Sequence, residues 1–220
     1  MTSRLSGRED PALLCILVDI LDLVSAADRI GIIAFAISGV AVGLRAKLDL
    51  YGLAALGLVT AIGGGVIRDA VIGDTPRVFE NTDYLLFAIA TTAAAIGAAI
   101  LGWHAPGPVL KVADAIGTGA FAPTGALLAY DAGLDWPAAV ILAILTATGG
   151  GVVRDVMVRE VPWVLRRGLN ASASALGGLL TFALAEDPAF ALLVGFVMTT
   201  AITAVGHTDR VRLPVYNRDR

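Results

Sequence analysis

Two glycine triplets stand inside apolar stretches of the chain, and an Arg-Asp pair follows three residues after each. The triplets are Gly63–Gly65 and Gly149–Gly151. Each glycine costs about 1 kcal/mol relative to alanine in a helix interior, so three in succession require a structural reason. A break or bend in a membrane helix would present carbonyl oxygens and helix ends to a water-filled path. The alternative is close packing of helix backbones, which glycine also permits.

The charged residues near the triplets suit either the lining of a polar path or the fastening of neighbouring helices. Ionisable residues inside a membrane are costly and usually face a partner or a cavity. They are Arg68, Asp69, Arg154 and Asp155, with Asp28 and Asp114 in the preceding apolar stretches. Neighbours in sequence point to different helix faces, so we expect Arg68 to pair with Asp28 rather than with Asp69. The equivalent expected pair in the second half is Asp114–Arg154.

Hydroxyl and aromatic side chains complete the candidate path. The hydroxyls are Ser38, Thr60, Thr124, Thr146 and Thr148. With freed carbonyl oxygens they would coordinate a cation in transit, whereas a single helical threonine more commonly bonds back to a carbonyl of its own helix. Phe35 and Phe121 are interpreted as packing residues, and the alternative is a hydrophobic gate.

Other kinds of chemistry find little support in the sequence. The single Cys15 excludes an intrachain disulfide and a cysteine-based metal cluster, and the two histidines are far apart. No Ser-His-Asp set, cofactor motif or basic stripe is present. We therefore expect no enzyme activity, no catalytic residues, no metal or cofactor, and no nucleic-acid partner.

Membrane-spanning helices must position these residues. Hydrophobic residues make up 57% of the chain and charged residues 16%, against about 25% charged in soluble domains. We predict an all-α membrane protein, one transmembrane domain over residues 1–220, with a polar tail at 207–220. Residues 12–24 form either an interfacial helix or an extension of the first span. Stretches of spanning length lie at 24–44, 51–72, 84–102, 110–130, 137–158, 170–186 and 189–206.

An internal repeat relates the two halves of the chain. A shift of 86 residues places Asp28 on Asp114 and Phe35 on Phe121, and gives 22 identities in the 54 positions from 27 to 80. The predicted units are repeat one (24–102), repeat two (110–186) and a seventh helix (189–206). Each repeat has three spans, so the second begins on the opposite membrane face. Such inverted repeats are typical of transport proteins.

Positive charges predict the orientation. With the N-terminus outside, inside segments carry 11 Lys or Arg residues and outside segments carry 5. Cytoplasmic segments are enriched in Lys and Arg. The sequence therefore predicts a multi-pass protein of a prokaryotic plasma membrane, with its N-terminus outside and its C-terminus in the cytoplasm.

Three elements of the sequence resemble a known family. They are the duplicated Gly-Gly-Gly-Val-x-Arg-Asp, the preceding Phe-Ala-x-(Ser/Thr)-Gly, and Leu213-Pro-Val-Tyr216. They resemble the UPF0126 membrane proteins, the prokaryotic relatives of the trimeric intracellular cation (TRIC) channels, from about residue 20 to 216. The resemblance implies seven helices in membrane lipid, a homotrimer, and one pore per protomer for potassium and other monovalent cations such as sodium. It also implies that the glycine triplets bend the second and fifth helices around that pore.

Three functions follow as hypotheses. The first is a monovalent-cation channel with its pore at the broken second and fifth helices. The second is a secondary transporter for glycine or a similar small solute, because some bacterial members of the family are associated with glycine uptake. A non-conducting membrane scaffold is the third, and it explains the glycine triplets poorly.

Overall fold

The computed structural model describes residues 11–103, 106–166 and 169–208, with side chains from residue 20 onward. This part of the chain is helical and contains no strand, which confirms the predicted all-α class. The helices are α1 (Pro11–Arg45), α2 (Leu50–Ile72), α3 (Arg77–Glu80), α4 (Thr82–Ile100), α5 (Gly107–Asp131), α6 (Trp136–Met157), α7 (Trp163–Arg166), α8 (Leu169–Ala183) and α9 (Pro188–Gly206).

Five of the described helices, α2, α4, α5, α6 and α9, are long and apolar enough to cross a membrane. Helix α8 is apolar but has only 15 residues, fewer than the roughly 20 that a span needs. The stretch predicted at 170–186 therefore ends early, at Ala183. Helix α1 runs without interruption through residues 12–24, so that segment extends the first predicted span.

The same 86-residue shift also relates the starts of two short helices. Helices α3 and α7 begin at Arg77 and Trp163 and are both four residues long. Neither was predicted, because a single turn is too short to show a hydropathy period. Each begins directly after a proline, Pro76 or Pro162, whose fixed φ suits the first turn of a helix.

Helices α1 and α5 cross in opposite directions at the centre of the molecule. The Phe121 ring packs on Gly31, where an added Cβ would lie 2.7 Å from it. The Phe35 ring packs equally closely on Gly117. The contact positions rise along α1 as they fall along α5, so the two repeats are antiparallel in the fold.

The predicted breaks in the second and fifth spans are wrong. Helices α2 and α6 continue through the triplets, Gly63–Gly65 and Gly149–Gly151. The reason is that the two helices cross there. A Cβ on Gly63 would lie 3.3 Å from the Cα of Gly150, and one on Gly64 would collide with the carbonyl oxygen of Thr146. The missing side chains let the two backbones approach, which is the packing role of glycine in membrane helices.

Candidate functional site

Arg68 lies at the centre of a buried charge cluster in repeat one. The residue is 1% exposed. Its Nη1 lies 3.0 Å from a carboxylate oxygen of Asp28, and its Nε donates to Asp69 at 2.8 Å. Nη1 also donates to the Thr124 hydroxyl at 3.3 Å. One guanidinium group thus contacts two carboxylates and a hydroxyl. Its five N–H donors, held in fixed directions, make several such contacts possible.

Arg154 holds the equivalent place in repeat two. Its Nη1 lies 2.7 Å from Asp114, and its Nε donates to Asp155 at 2.8 Å. Nη1 also donates to the Ser38 hydroxyl, which donates in turn to Asp114 at 2.7 Å. Both arginines therefore reach from their own repeat to the first helix of the other repeat.

The expectation that Arg68 and Asp69 do not pair is wrong, and so is its counterpart for Arg154 and Asp155. An arginine side chain is long enough to curl back to its neighbour while still reaching an adjacent helix. The second oxygen of Asp69 accepts from the backbone N–H of Arg77 at 3.0 Å, and that of Asp155 from Trp163 at 2.9 Å. Each aspartate therefore ties its arginine to the start of the following short helix.

Two small cavities lie beside the charge clusters. Each of the twelve residues that line one is 86 positions from a residue that lines the other. The repeat-one cavity, of about 10 Å³, is lined by Asp28, Ile32, Ala61, Ile62, Gly65, Val66, Arg68, Asp69, Arg77, Val78, Tyr84 and Phe121. The repeat-two cavity, of about 30 Å³, is lined by Phe35, Asp114, Thr118, Ala147, Thr148, Gly151, Val152, Arg154, Asp155, Trp163, Val164 and Asn170.

The rings of Phe35 and Phe121 stand between the two cavities. Their centroids are 5.3 Å apart and their planes are tilted by 50°. Phe35 lines the repeat-two cavity and Phe121 lines the repeat-one cavity. Both side chains are buried, so each ring forms part of the wall of one cavity and packs against the ring that lines the other.

Each small cavity adjoins a larger one. Arg77 and Tyr84 line both the repeat-one cavity and an open cavity of about 680 Å³ beside Ser25 and Asn81. Asp114 and Arg154 line both the repeat-two cavity and one of about 300 Å³. We name the larger pair the 77 vestibule and the 114 vestibule. The order is vestibule, cavity, ring pair, cavity, vestibule.

The predicted hydroxyl residues divide between packing and cavity. Thr60, Thr146 and Thr148 each donate to the carbonyl four residues earlier, at 2.6–2.7 Å. Of these three, only Thr148 lines one of the two small cavities. Thr124 likewise donates to the Phe121 carbonyl at 3.0 Å.

The glycines of each triplet also divide between helix packing and a cavity wall. Gly63, Gly64 and Gly150 lie in the helix crossing, and Gly149 packs on Ile67 with an added Cβ 2.7 Å from it. The third glycine of each triplet, Gly65 or Gly151, lines a cavity instead.

The sequence did not predict five lining residues that have a polar side-chain atom. They are Arg77, Tyr84, Thr118, Trp163 and Asn170. The repeat carried a signal, because Thr118 falls on Ile32 and Asn170 falls on Tyr84. When a polar residue close to a charged motif has an apolar or aromatic equivalent in the other repeat, the surface at that position differs between the two repeats. Within the described residues, no group of three or more His, Cys, Asp or Glu side chains could hold a metal ion.

Comparison with known proteins places the chain in a family. The family model described as "Glycine transporter" matches it twice, over residues 25–100 and 111–186. A UPF0126 membrane protein of Deinococcus radiodurans is 38% identical over 86% of this chain and 89% of its own length. The UPF0126 inner membrane protein YadS of Escherichia coli K12 is 34% identical over 87% of this chain and 95% of its own length.

A solved structure gives the same result for the fold. The crystal structure of a prokaryotic TRIC channel in 0.5 M KCl is 31% identical, with a TM-score of 0.79 over 84% of this chain and 96% of that one. These proteins are membrane proteins and a channel, not enzymes, as expected from the sequence. The chain is therefore a multi-pass membrane protein that belongs to the UPF0126 family and shares its fold with the prokaryotic TRIC channels.

Proposed function

We propose that the protein is a homotrimeric potassium channel that conducts monovalent cations through a path inside each protomer. The path runs from the 77 vestibule through the repeat-one cavity, past Phe35 and Phe121, through the repeat-two cavity and into the 114 vestibule. The observation that carries the proposal is the serial arrangement of repeat-related cavities on either side of one aromatic pair. Inverted repeats commonly place a transport path along their pseudo-two-fold axis.

The charge of the repeat-two cavity favours a cation. Arg154 pairs with two carboxylates, Asp114 and Asp155, so this cavity has one carboxylate in formal excess, whereas in the repeat-one cavity Arg77 joins Arg68 against Asp28 and Asp69. Rings of acidic side chains are a common means of selecting cations. The two cavities are small, about 10 Å³ and 30 Å³, where about 10–15 Å³ is the least that holds one water molecule, and the rings of Phe35 and Phe121 meet between them. We therefore assign this conformation to a closed channel.

The orientation and assembly belong to the same proposal. The N-terminus is outside and the C-terminus is in the cytoplasm of a prokaryote, by the distribution of Lys and Arg. The 77 vestibule then faces outward and the 114 vestibule faces inward. The homotrimer is proposed from the likeness to TRIC channels.

A second candidate function is secondary transport of glycine or a similar small solute. The description of the matching family model favours it. Helix movement would then have to enlarge a cavity until it admitted several non-hydrogen atoms.

A flux assay distinguishes the two functions. The purified protein is reconstituted into liposomes, and potassium efflux and radiolabelled glycine uptake are measured on the same preparation. We expect potassium efflux that is driven by the potassium gradient and stops when the driving force is zero. We expect no saturable glycine uptake. Saturable glycine uptake without potassium efflux would replace the channel with the transporter.

A further inference from the structure

The side chain of Arg77 lies where the 77 vestibule meets the repeat-one cavity. Arg77 lines both spaces, and the residue is half-buried. It is the first residue of the four-residue helix α3, and its backbone N–H donates to Asp69 at 3.0 Å. A cation that enters the proposed path from the 77 vestibule therefore passes Arg77 before it enters the repeat-one cavity.

The guanidinium group of Arg77 has no ion-pair partner among the described residues. No carboxylate oxygen in this part of the chain lies within 4.0 Å of its nitrogen atoms. Its Nη1 is buried and also lacks a hydrogen-bond partner there. Arginine residues inside membrane proteins ordinarily pair with acidic groups. The positive charge of Arg77 is therefore less compensated than that of Arg68, which pairs with two carboxylates.

Five carboxylates line the same spaces as Arg77 or act on it through their charge. They are Asp28, Asp69, Glu80, Asp83 and Asp131. The first two are held by Arg68. The other three are exposed, where water and salt screen their field strongly. The charge of Arg77 adjoins a buried cavity, so it is screened less than theirs.

Repeat two has no charge at the equivalent position. The 86-residue shift places Arg77 on Trp163, which lines both the repeat-two cavity and the 114 vestibule. The 114 vestibule has basic residues of its own, Arg45, Lys111 and Arg166, but none of these lines the small cavity behind it. The two junctions between vestibule and cavity therefore differ by the positive charge of Arg77.

We propose that Arg77 limits the entry of cations from the 77 vestibule, so that removing its charge changes the current in one direction more than in the other. A fixed charge at the mouth of a narrow path changes the local concentration of cations there. That concentration governs the current that enters through the same mouth. The proposal rests on the proposed channel function and adds to it a residue that sets the conductance from one side.

Single-channel recording with a chemically restored charge tests the role of Arg77. In a Cys15→Ser background, Arg77→Cys removes the charge, and an impermeant thiol reagent with a trimethylammonium group puts a positive charge back. The reagent is applied to one chamber of a planar bilayer at a time, and the chamber from which it acts identifies the side of the 77 vestibule. Potassium current entering from that side should be about twofold or more smaller than after reaction with a neutral reagent of similar size.

Arg77→Gln and Arg29→Gln form a matched pair of variants. Each removes one positive charge from repeat one, but Arg29 is exposed on α1 and lines neither the repeat-one cavity nor the 77 vestibule. Arg77→Gln should change the ratio of the currents at equal and opposite voltages by about twofold or more. Arg29→Gln and Arg77→Lys should keep the ratio of the parent protein. The effect of Arg77→Gln should shrink as the potassium chloride concentration rises, because salt screens the charge.

The role of Arg77 and the channel can fail separately. Equal currents after the charged and the neutral reagent would overturn the role of Arg77 and keep the channel. Failure of position 77 to react from either chamber would also overturn it, because the side chain would then not face the path. A folded parent protein and folded variants without unitary current would remove the channel and, with it, the role of Arg77.

Discussion

The guanidinium group of Arg68 in α2 lies 3.0 Å from the carboxylate of Asp28 in α1, and both side chains are 2% exposed. Removing one partner of a buried ion pair leaves an uncompensated charge and costs about 3–5 kcal/mol. Arg68→Ala should therefore strongly lower the melting temperature of the protein in detergent.

The contact of Arg68 with Asp69 limits what a compensating change can recover. The double change Asp28→Asn with Arg68→Gln should restore only part of the lost stability, because Asp69 is left without its arginine. Adding Asp69→Asn should restore more. A double-mutant cycle on melting temperature measures these couplings. Zero coupling between positions 28 and 68 would contradict the pairing, and the cycle on Asp114 and Arg154 should give a similar result.

Two glycine-to-alanine substitutions, one at the helix crossing and one outside it, should have opposite effects on stability. Gly64→Ala should lower the melting temperature, because its Cβ would collide with the backbone of α6 at Thr146. Gly97→Ala in α4 is the matched control, since an added Cβ there meets nothing within 4 Å. Alanine favours a helix interior by about 1 kcal/mol over glycine, so that variant should be at least as stable as the parent. Equal stability of the two variants would show that the helix crossing is not tight.

Substitution of the third glycine of a triplet should change cation flux without changing folding. A Cβ on Gly151 would have Arg154 as its nearest contact, at 3.8 Å, so Gly151→Ala should fold normally. It would nevertheless add a methyl group to the wall of the repeat-two cavity. Potassium efflux from liposomes should fall while the melting temperature is retained. Unchanged efflux would place the path elsewhere.

Thiol labelling tests the orientation. In a Cys15→Ser background, Asp187→Cys and Glu160→Cys place single thiols in exposed loops at opposite ends of the helices. An impermeant thiol reagent applied to intact cells should label position 187 and spare position 160 until the membrane is opened. The reverse pattern would show that the N-terminus is inside.

The repeat made much of this fold predictable from the sequence. Because Asp28 and Arg68 recur 86 residues later in the same arrangement, their shared membrane depth followed from the order of three antiparallel spans. The role of the glycine triplets was not predictable in the same way. A helix break and a tight helix crossing require the same residue type, and only the position of the partner backbone at Thr146 separates them. Thr118 and Asn170 lie far apart in sequence, and tertiary packing alone brings them to one cavity.

Cations are proposed to pass through the protomer between Phe35 and Phe121, and single-channel recording in planar bilayers can detect that path. The double variant Phe35→Leu, Phe121→Leu shortens both side chains at the contact between the cavities. Phe182→Leu is the control, since this ring packs against Tyr130, with ring centroids 5.5 Å apart, and lines neither cavity. Melting temperatures establish that all three proteins are folded.

We predict unitary potassium currents from the parent protein and from Phe182→Leu, and a larger time-averaged current from the double variant, because its path is less obstructed. Absence of unitary current from all of these folded proteins would contradict the channel, and parent-like currents in the double variant would contradict a path between the two rings.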